Sequence, residues 1–345
     1  MELRIGKNLI GSGHKPYIIA ELSANHNGSL ESALNHVRLA AKAGASAIKL
    51  QTYTADTMTI NSKNEEFMIR GGLWDGYSLY DLYEKAHTPW EWHKEIFSLA
   101  NELGVDCFSS PFDESAVDFL EELGAPAYKI ASFEMIDHPL IEKIAKTGKP
   151  IIMSTGMATL SEVTEAVEVI RKYHNDFIVL HCVSGYPTPI DQINLKTLEL
   201  LKSEFNCLVG LSDHTLSNTA AICSVALGAC VIEKHFIESR SLGGVDSAFS
   251  IEPSELEELV IRAKEAWLSQ GRGSFDLKNA EKDNRQFRRS IYFVKDLSEG
   301  EALKKEHVKR IRPGYGLAPK HLNSIIGKKV SRSVKRGEPV TWDSF

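Results

Sequence analysis

An eightfold alternation of short apolar runs with amphipathic, helix-length stretches constrains this chain more than any other feature. The runs at 17–22, 47–51, 106–110, 127–132, 150–155, 177–183, 208–211 and 229–234 have strand length and aliphatic composition. Helix-length segments follow them in turn, at 30–43, 89–103, 114–123, 139–146, 160–173, 195–205, 217–227 and 253–269. Gly44, Gly104, Gly124 and Gly148 stand at helix exits, where a left-handed cap is needed. Eight such repeats over roughly 255 residues predict an α/β fold, a (β/α)8 TIM barrel. An open doubly wound sheet is the alternative, but no GxGxxG loop supports a dinucleotide site.

Three segments depart from the repeat. Residues 1–16 precede the first strand and are placed at the barrel bottom. The connection from 52 to 88 far exceeds an ordinary strand-to-helix loop, so it is a candidate binding loop or lid. Residues 268–288 are polar with glycines and read as a linker, which divides the chain into a barrel domain at 1–267 and a small strand-and-turn module at 289–345. A module of that size has a marginal core of its own. Residues 285–345 carry 15 Lys/Arg against 6 Asp/Glu, whereas 1–284 carry 25 against 40. The basic residues alternate with apolar ones and turn signals, which favours a folded module over a nucleic-acid-binding arm. No apolar run approaches the ~20 residues of a membrane span, and the N-terminus lacks the pattern of an export signal. Five cysteines without a CxxC argue against a disulfide framework. A cytoplasmic location is expected, with no nucleic-acid or membrane partner.

A barrel of this kind gathers its chemistry at the C-terminal ends of its strands. Here the ends present Glu21, Lys49 with Gln51, Ser110, Lys129 with Ser132 and Glu134, Ser154, Ser184, Ser212-Asp213-His214 and Glu233-Lys234-His235. The last two strands join through one helix and must lie parallel and adjacent, so His214 and His235 can share a divalent cation. The alternative is a pair of hydrogen-bonded histidines at the rim. Lys49 and Lys129 leave apolar runs, where an unpaired ammonium is costly. An anionic ligand ringed by the hydroxyls of Ser110, Ser132, Ser154 and Ser212 would resolve that cost, as would an ion pair with a nearby glutamate. Glu21 and Glu134 are candidate acid–base groups.

The stretches IAELSANHNG, AIKLQTY, YKIASFE, STGMAT, GLSDHT, EKHF and RPGYGLAP, in this order, resemble the sialic acid synthase family across nearly the whole chain. The resemblance implies condensation of phosphoenolpyruvate with an N-acetylated amino sugar to a nine-carbon 2-keto acid. It also implies a divalent metal (Mn²⁺ or Mg²⁺) on His214 and His235, and a C-terminal antifreeze-like (SAF) domain covering the partner's barrel mouth in a homodimer. Phosphoenolpyruvate would be held by Lys49, Lys129, Ser110, Ser132, Ser154, Ser184 and Ser212. The sugar would meet Gln51, Tyr186, Asp246 and Arg312, the last displayed by the turn that Pro313, Gly314 and Gly316 favour. Glu21 would orient or deprotonate water, with Glu134 as competitor. The segment LWDGYSLYDLYEKAHTPWEWH is most similar to the family's pseudaminic acid synthases. Its aromatic content suits a 6-deoxy sugar with two acetamido groups, 2,4-diacetamido-2,4,6-trideoxy-altrose. Neuraminate or legionaminate synthesis is the alternative. A 3-deoxy-sugar-acid phosphate synthase is disfavoured by the C-terminal module, and a non-enzymatic sugar- or ice-binding role leaves the strand-end groups unexplained.

Overall fold

The computed structural model describes all 345 residues, which divide into two compact units, Met1–Gly271 and Arg272–Phe345. The first opens with an antiparallel hairpin, β1 (Glu2–Ile5) and β2 (Asn8–Gly11). Its alternate residues Leu3, Ile5 and Ile10 are buried with Tyr17, Ile19, Phe108, Ile152 and Ile178 from inside the barrel, so the hairpin plugs one end. Asp106 ties it down by accepting from the Asn8 amide (2.8 Å) and the Tyr17 phenol (2.8 Å).

Eight parallel strands then close into a barrel: β3 (Tyr17–Glu21), β4 (Ala47–Thr52), β5 (Asp106–Pro111), β6 (Tyr128–Ile130), β7 (Ile151–Ser154), β8 (Phe177–Cys182), β9 (Leu208–Ser212) and β10 (Ala229–His235), with β10 pairing back to β3. This is the TIM barrel expected, and most strand edges fall within a residue of those read from the apolar runs. The strand at 127–132 is shorter, Tyr128–Ile130, because Ser132 and Phe133 already bend into a 3₁₀ turn. The helices are amphipathic and capped by side chains where the sequence supplies them. Ser29 accepts from the Ser32 amide to start α1 (Leu30–Lys42), whose buried stripe is Ala33, Leu34, Val37 and Ala40. Such a cap contributes ~1 kcal/mol. The connection at 52–88 is not bare loop: it carries α2 (Ala55–Met58) and α3 (Leu79–Ala86), and a bridge between Met68 and Ser78 closes a small lobe between them. The last barrel helix runs Pro253–Gln270, so helix continues into the first residues assigned to the linker. No helix is long and apolar enough to cross a membrane.

In the second unit, an antiparallel pair (Ser290–Phe293 with Val308–Ile311) and several isolated bridges surround Ile291, Phe293, Leu303, Ile325, Val330 and Val340. Arg312 follows the second of these strands and is exposed.

Candidate active site

Side chains alternate across a strand, so the parity of each barrel strand decides which polar residues face the interior. On β10, Glu233 and His235 face inward, while Lys234 points out to a buried ion pair with Asp213 (2.8 Å). On β4, Lys49 and Gln51 face inward, and the Thr52 hydroxyl meets His93 and Ser109 on the outside. Opposite Gln51 in the ladder, Ser110 has the inward parity. The inward set opens on a cavity of about 660 Å³ whose wall includes Glu21, Lys49, Lys129, Ser154, Glu233 and His235.

The floor is an ion network. Lys49 Nζ lies 2.8 Å from Glu21 and 3.3 Å from Glu233, and Lys129 Nζ lies 3.4 Å from Glu233. All four side chains are buried. The two lysines differ in their surroundings. Burial works against the Lys49 charge, but two carboxylates overcome it and hold its pKa above the usual value. For Lys129 burial dominates over the pull of Glu233 and the weaker pull of Glu21, Lys49 adds repulsion, and its pKa falls. Burial also opposes the Glu21 charge, yet Lys49, His235 and Lys129 outweigh it and keep Glu21 ionised well below the ordinary carboxylate range. Glu134, on the turn after β6, has no such partner at Oε2, and burial raises its pKa to about 7. One carboxylate is thus fixed as an anion and another holds a proton near neutrality, the division of labour that acid–base chemistry needs.

Hydroxyls stand above this floor. Ser212 donates to Glu233 (3.1 Å), and Ser132 accepts from the Gly156 amide (3.0 Å). A methyl group on Gly156 would overlap the Ser132 and Ser184 hydroxyls, so only glycine lets them approach this backbone. The hydroxyl oxygens of Ser110, Ser154 and Ser184 are buried without a hydrogen-bond partner, a cost that a bound anion would remove. Ser132, Ser154 and Ser212 line the cavity, and Ser110 and Ser184 are outside that lining.

The two histidines face each other with ring centroids 5.4 Å apart. His214 Nδ1 donates to the Val183 carbonyl (3.0 Å), which leaves Nε2 as a free lone pair. His235 Nδ1 is buried with no hydrogen-bond partner, and its Nε2 lies 3.4 Å from Glu21. Asp246 approaches His235 Nδ1 to 3.8 Å and accepts a hydroxyl bond from Ser23. Two imidazoles with uncommitted nitrogens suit a divalent cation that keeps positions open for substrate, although they do not form part of a group of three ligating side chains. Tyr186 lies against His214 (4.4 Å between centroids), and Gln51 donates to Glu21 (2.8 Å).

The structure therefore brings Glu21, Lys49, Gln51, Lys129, Ser132, Glu134, Ser154, Tyr186, Ser212, His214, His235 and Asp246 to one cavity. Of the two ways to settle the buried lysines, the structure shows the ion pair: Glu21 and Glu233 neutralise them without any ligand. Glu233 was missed as a site residue, although it shares its inward parity with His235. Ser23 and Trp74, which also line the cavity, had no such signal because they sit on irregular segments.

The NeuB family profile matches residues 36–275, and the SAF domain profile matches residues 288–345. The chain is 48% identical over 332 residues to a pseudaminic acid synthase of Campylobacter jejuni, covering 96% of this chain and 97% of that one. It is 45% identical to a pseudaminic acid synthase of Helicobacter pylori, covering 96% and 98%. A crystal structure of the N-acetylneuraminic acid synthetase of Leptospira borgpetersenii superposes with a TM-score of 0.75 at 32% identity, over 82% of this chain and 95% of that one. The barrel, its polar mouth and the C-terminal module are those of one protein family: the chain belongs to the NeuB family and ends in a SAF domain.

Proposed function

We propose that this protein condenses phosphoenolpyruvate with 2,4-diacetamido-2,4,6-trideoxy-altrose and water to give pseudaminic acid and phosphate. One observation carries the reading: two buried lysines, the hydroxyls of Ser132, Ser154 and Ser212, of which Ser154 is unpartnered, and a facing histidine pair share a single 660 Å³ cavity. The relatives at 45–48% identity, which are pseudaminic acid synthases, support the choice of sugar.

Phosphoenolpyruvate is recognised by Lys49 and Lys129, with donors from Ser110, Ser132, Ser154, Ser184 and Ser212. Lys129, held by one carboxylate at 3.4 Å, is the freer of the two to turn to the incoming anion. A divalent ion such as Mn²⁺ or Mg²⁺, held by His214 and His235, would supply Lewis-acid polarisation of the sugar aldehyde. Gln51, Tyr186 and Asp246 hold the open-chain sugar so that its carbonyl carbon meets the enolpyruvate methylene. Glu134 carries a proton near neutral pH for the developing alkoxide. Positive charge then develops at the phosphate-bearing carbon, and Glu21, fixed as an anion, orients and deprotonates the water that adds there. The tetrahedral intermediate loses phosphate by carbon–oxygen cleavage. A homodimer in which the SAF domain covers the neighbouring barrel would bring Arg312 of the partner subunit to the sugar. Phosphoenolpyruvate is a cytoplasmic metabolite, which suits a cytoplasmic enzyme.

Phosphoenolpyruvate labelled with ¹⁸O in the bridging position tests the route. The label should leave in phosphate. Label retained in the keto acid would mean phosphorus–oxygen cleavage and would overturn the water addition assigned to Glu21.

A further inference from the structure

The cavity has a second character beyond its polar floor. The lobe at 52–88 contributes apolar side chains to its lining: Met58, Ile69, Trp74, Leu82 and Tyr83. Trp74 sits at the tip of this lobe between Gly72 and Gly76, both at positive φ (76° and 87°), a backbone that glycine adopts without strain. Hydrogen bonds from the Ile69 amide to the Tyr77 carbonyl (2.9 Å) and from the Gly76 amide back to the Ile69 carbonyl (3.1 Å) hold the tip in shape. The indole N–H is already donated to the Val245 carbonyl (3.0 Å), so Trp74 offers the cavity its ring and not its donor. Its ring centroid is 6.0 Å from that of Tyr186, which in turn lies 4.4 Å from that of His214. The three rings therefore form a contact series, His214 to Tyr186 to Trp74. The Thr57 hydroxyl, in the same lobe, is committed to the Thr54 carbonyl (3.0 Å). Asp246 accepts from Ser23 and Gln51 donates to Glu21, and each keeps further hydrogen-bonding capacity for the sugar.

We propose that Trp74, together with the lining residues Ile69 and Tyr83, is the specificity-determining wall of the sugar site, receiving the methyl-bearing C4–C6 end of the substrate. This rests on the reading above, in which the aldehyde end of an open-chain hexose lies at the histidines. The far end of such a chain then reaches beyond Tyr186 to the indole. A 6-deoxy sugar with a 4-acetamido group presents two methyl groups there, and each gains from leaving water. A hexose with hydroxyls at C4 and C6 has to bury them against a ring face whose one donor is committed. A hydroxyl set against an apolar wall is rejected by about 10²-fold at most, because the wall costs it hydration without clashing. Graded discrimination, rather than an absolute barrier, is the signature of this arrangement.

The experiment compares kcat/KM of the full-length protein for the diacetamido-trideoxy sugar and for N-acetylmannosamine, in the parent, Trp74→Ala and Trp74→Phe. The parent should prefer the trideoxy sugar. Trp74→Ala should lower kcat/KM for that sugar about tenfold or more and change the value for N-acetylmannosamine by less than about twofold. The KM for phosphoenolpyruvate should stay unchanged, and Trp74→Phe should recover most of the preference. If the parent shows the preference but Trp74→Ala lowers both sugars equally or neither, the wall is misassigned and the substrate reading stands. If the parent prefers N-acetylmannosamine, both the substrate reading and the wall fail.

Discussion

Replacing Glu233 by glutamine is expected to raise the KM for phosphoenolpyruvate and lower kcat/KM by about 10²-fold near neutral pH, an effect equivalent to ~2.7 kcal/mol. The direction is not obvious. Removing a negative charge beside an anion site would improve anion binding if both lysines stayed charged. Burial decides otherwise. Lys129 has its pKa lowered by desolvation, and Glu233 is the carboxylate that most opposes that shift. Without it, Lys129 faces Lys49 in an interior that cannot solvate two ammonium groups, and it gives up its proton. The substrate then loses a cation. The sign follows: Lys129 is protonated below its depressed pKa, so the variant should regain activity as pH falls, whereas the parent should not need that rescue. Unfolding stability should fall by ~3–5 kcal/mol, the cost of breaking a buried ion network by removing one partner. A pH profile of kcat/KM together with a thermal melt checks all three effects. A variant with the parent's pH profile and KM would show that Glu233 does not govern the lysines.

His214→Ala and His235→Ala should each abolish divalent-ion binding and lower kcat by at least about 10³-fold, because several kcal/mol of carbonyl polarisation is lost with the ion. The two should differ in stability. His214 donates to the Val183 carbonyl and lies against Tyr186, so its loss removes one of that carbonyl's two donors, leaving the Thr188 hydroxyl (3.0 Å), and opens a gap beside the Tyr186 ring. His235 Nδ1 makes no hydrogen bond, so His235→Ala should melt closer to the parent. Calorimetric titration with Mn²⁺ and melting curves separate the two effects. Parent-like ion affinity in both variants would remove the histidines from the metal role.

The barrel could be read from the chain because a parallel strand buried on both faces is a run of aliphatic residues, and these runs are clean here. Parity then carries the site: once His235 is placed inward, Glu233 must follow it and Lys234 must not. That inference was within reach of the sequence, and treating the strand end as one polar cluster obscured it. That Lys49 and Lys129 could pair with a glutamate was legible, but which glutamates they meet was not. The pairing joins β3, β4, β6 and β10, and depends on the register with which β10 closes onto β3, His235 beside Glu21. Trp74 lay further out of reach, because the 52–88 connection has no periodicity to show which side chain turns inward. Its length marked it as a binding segment, and only the folded lobe reveals the indole among the lining residues.

Phosphate release from phosphoenolpyruvate, measured across a panel of diacetamido and monoacetamido hexoses with the product followed by mass, tests the central claim most directly. Release should be strictly dependent on the sugar, fastest with 2,4-diacetamido-2,4,6-trideoxy-altrose, and matched mole for mole by a nine-carbon 2-keto acid. Release without any sugar, or with none of the panel forming that acid, would contradict the assignment of this cavity to phosphoenolpyruvate condensation.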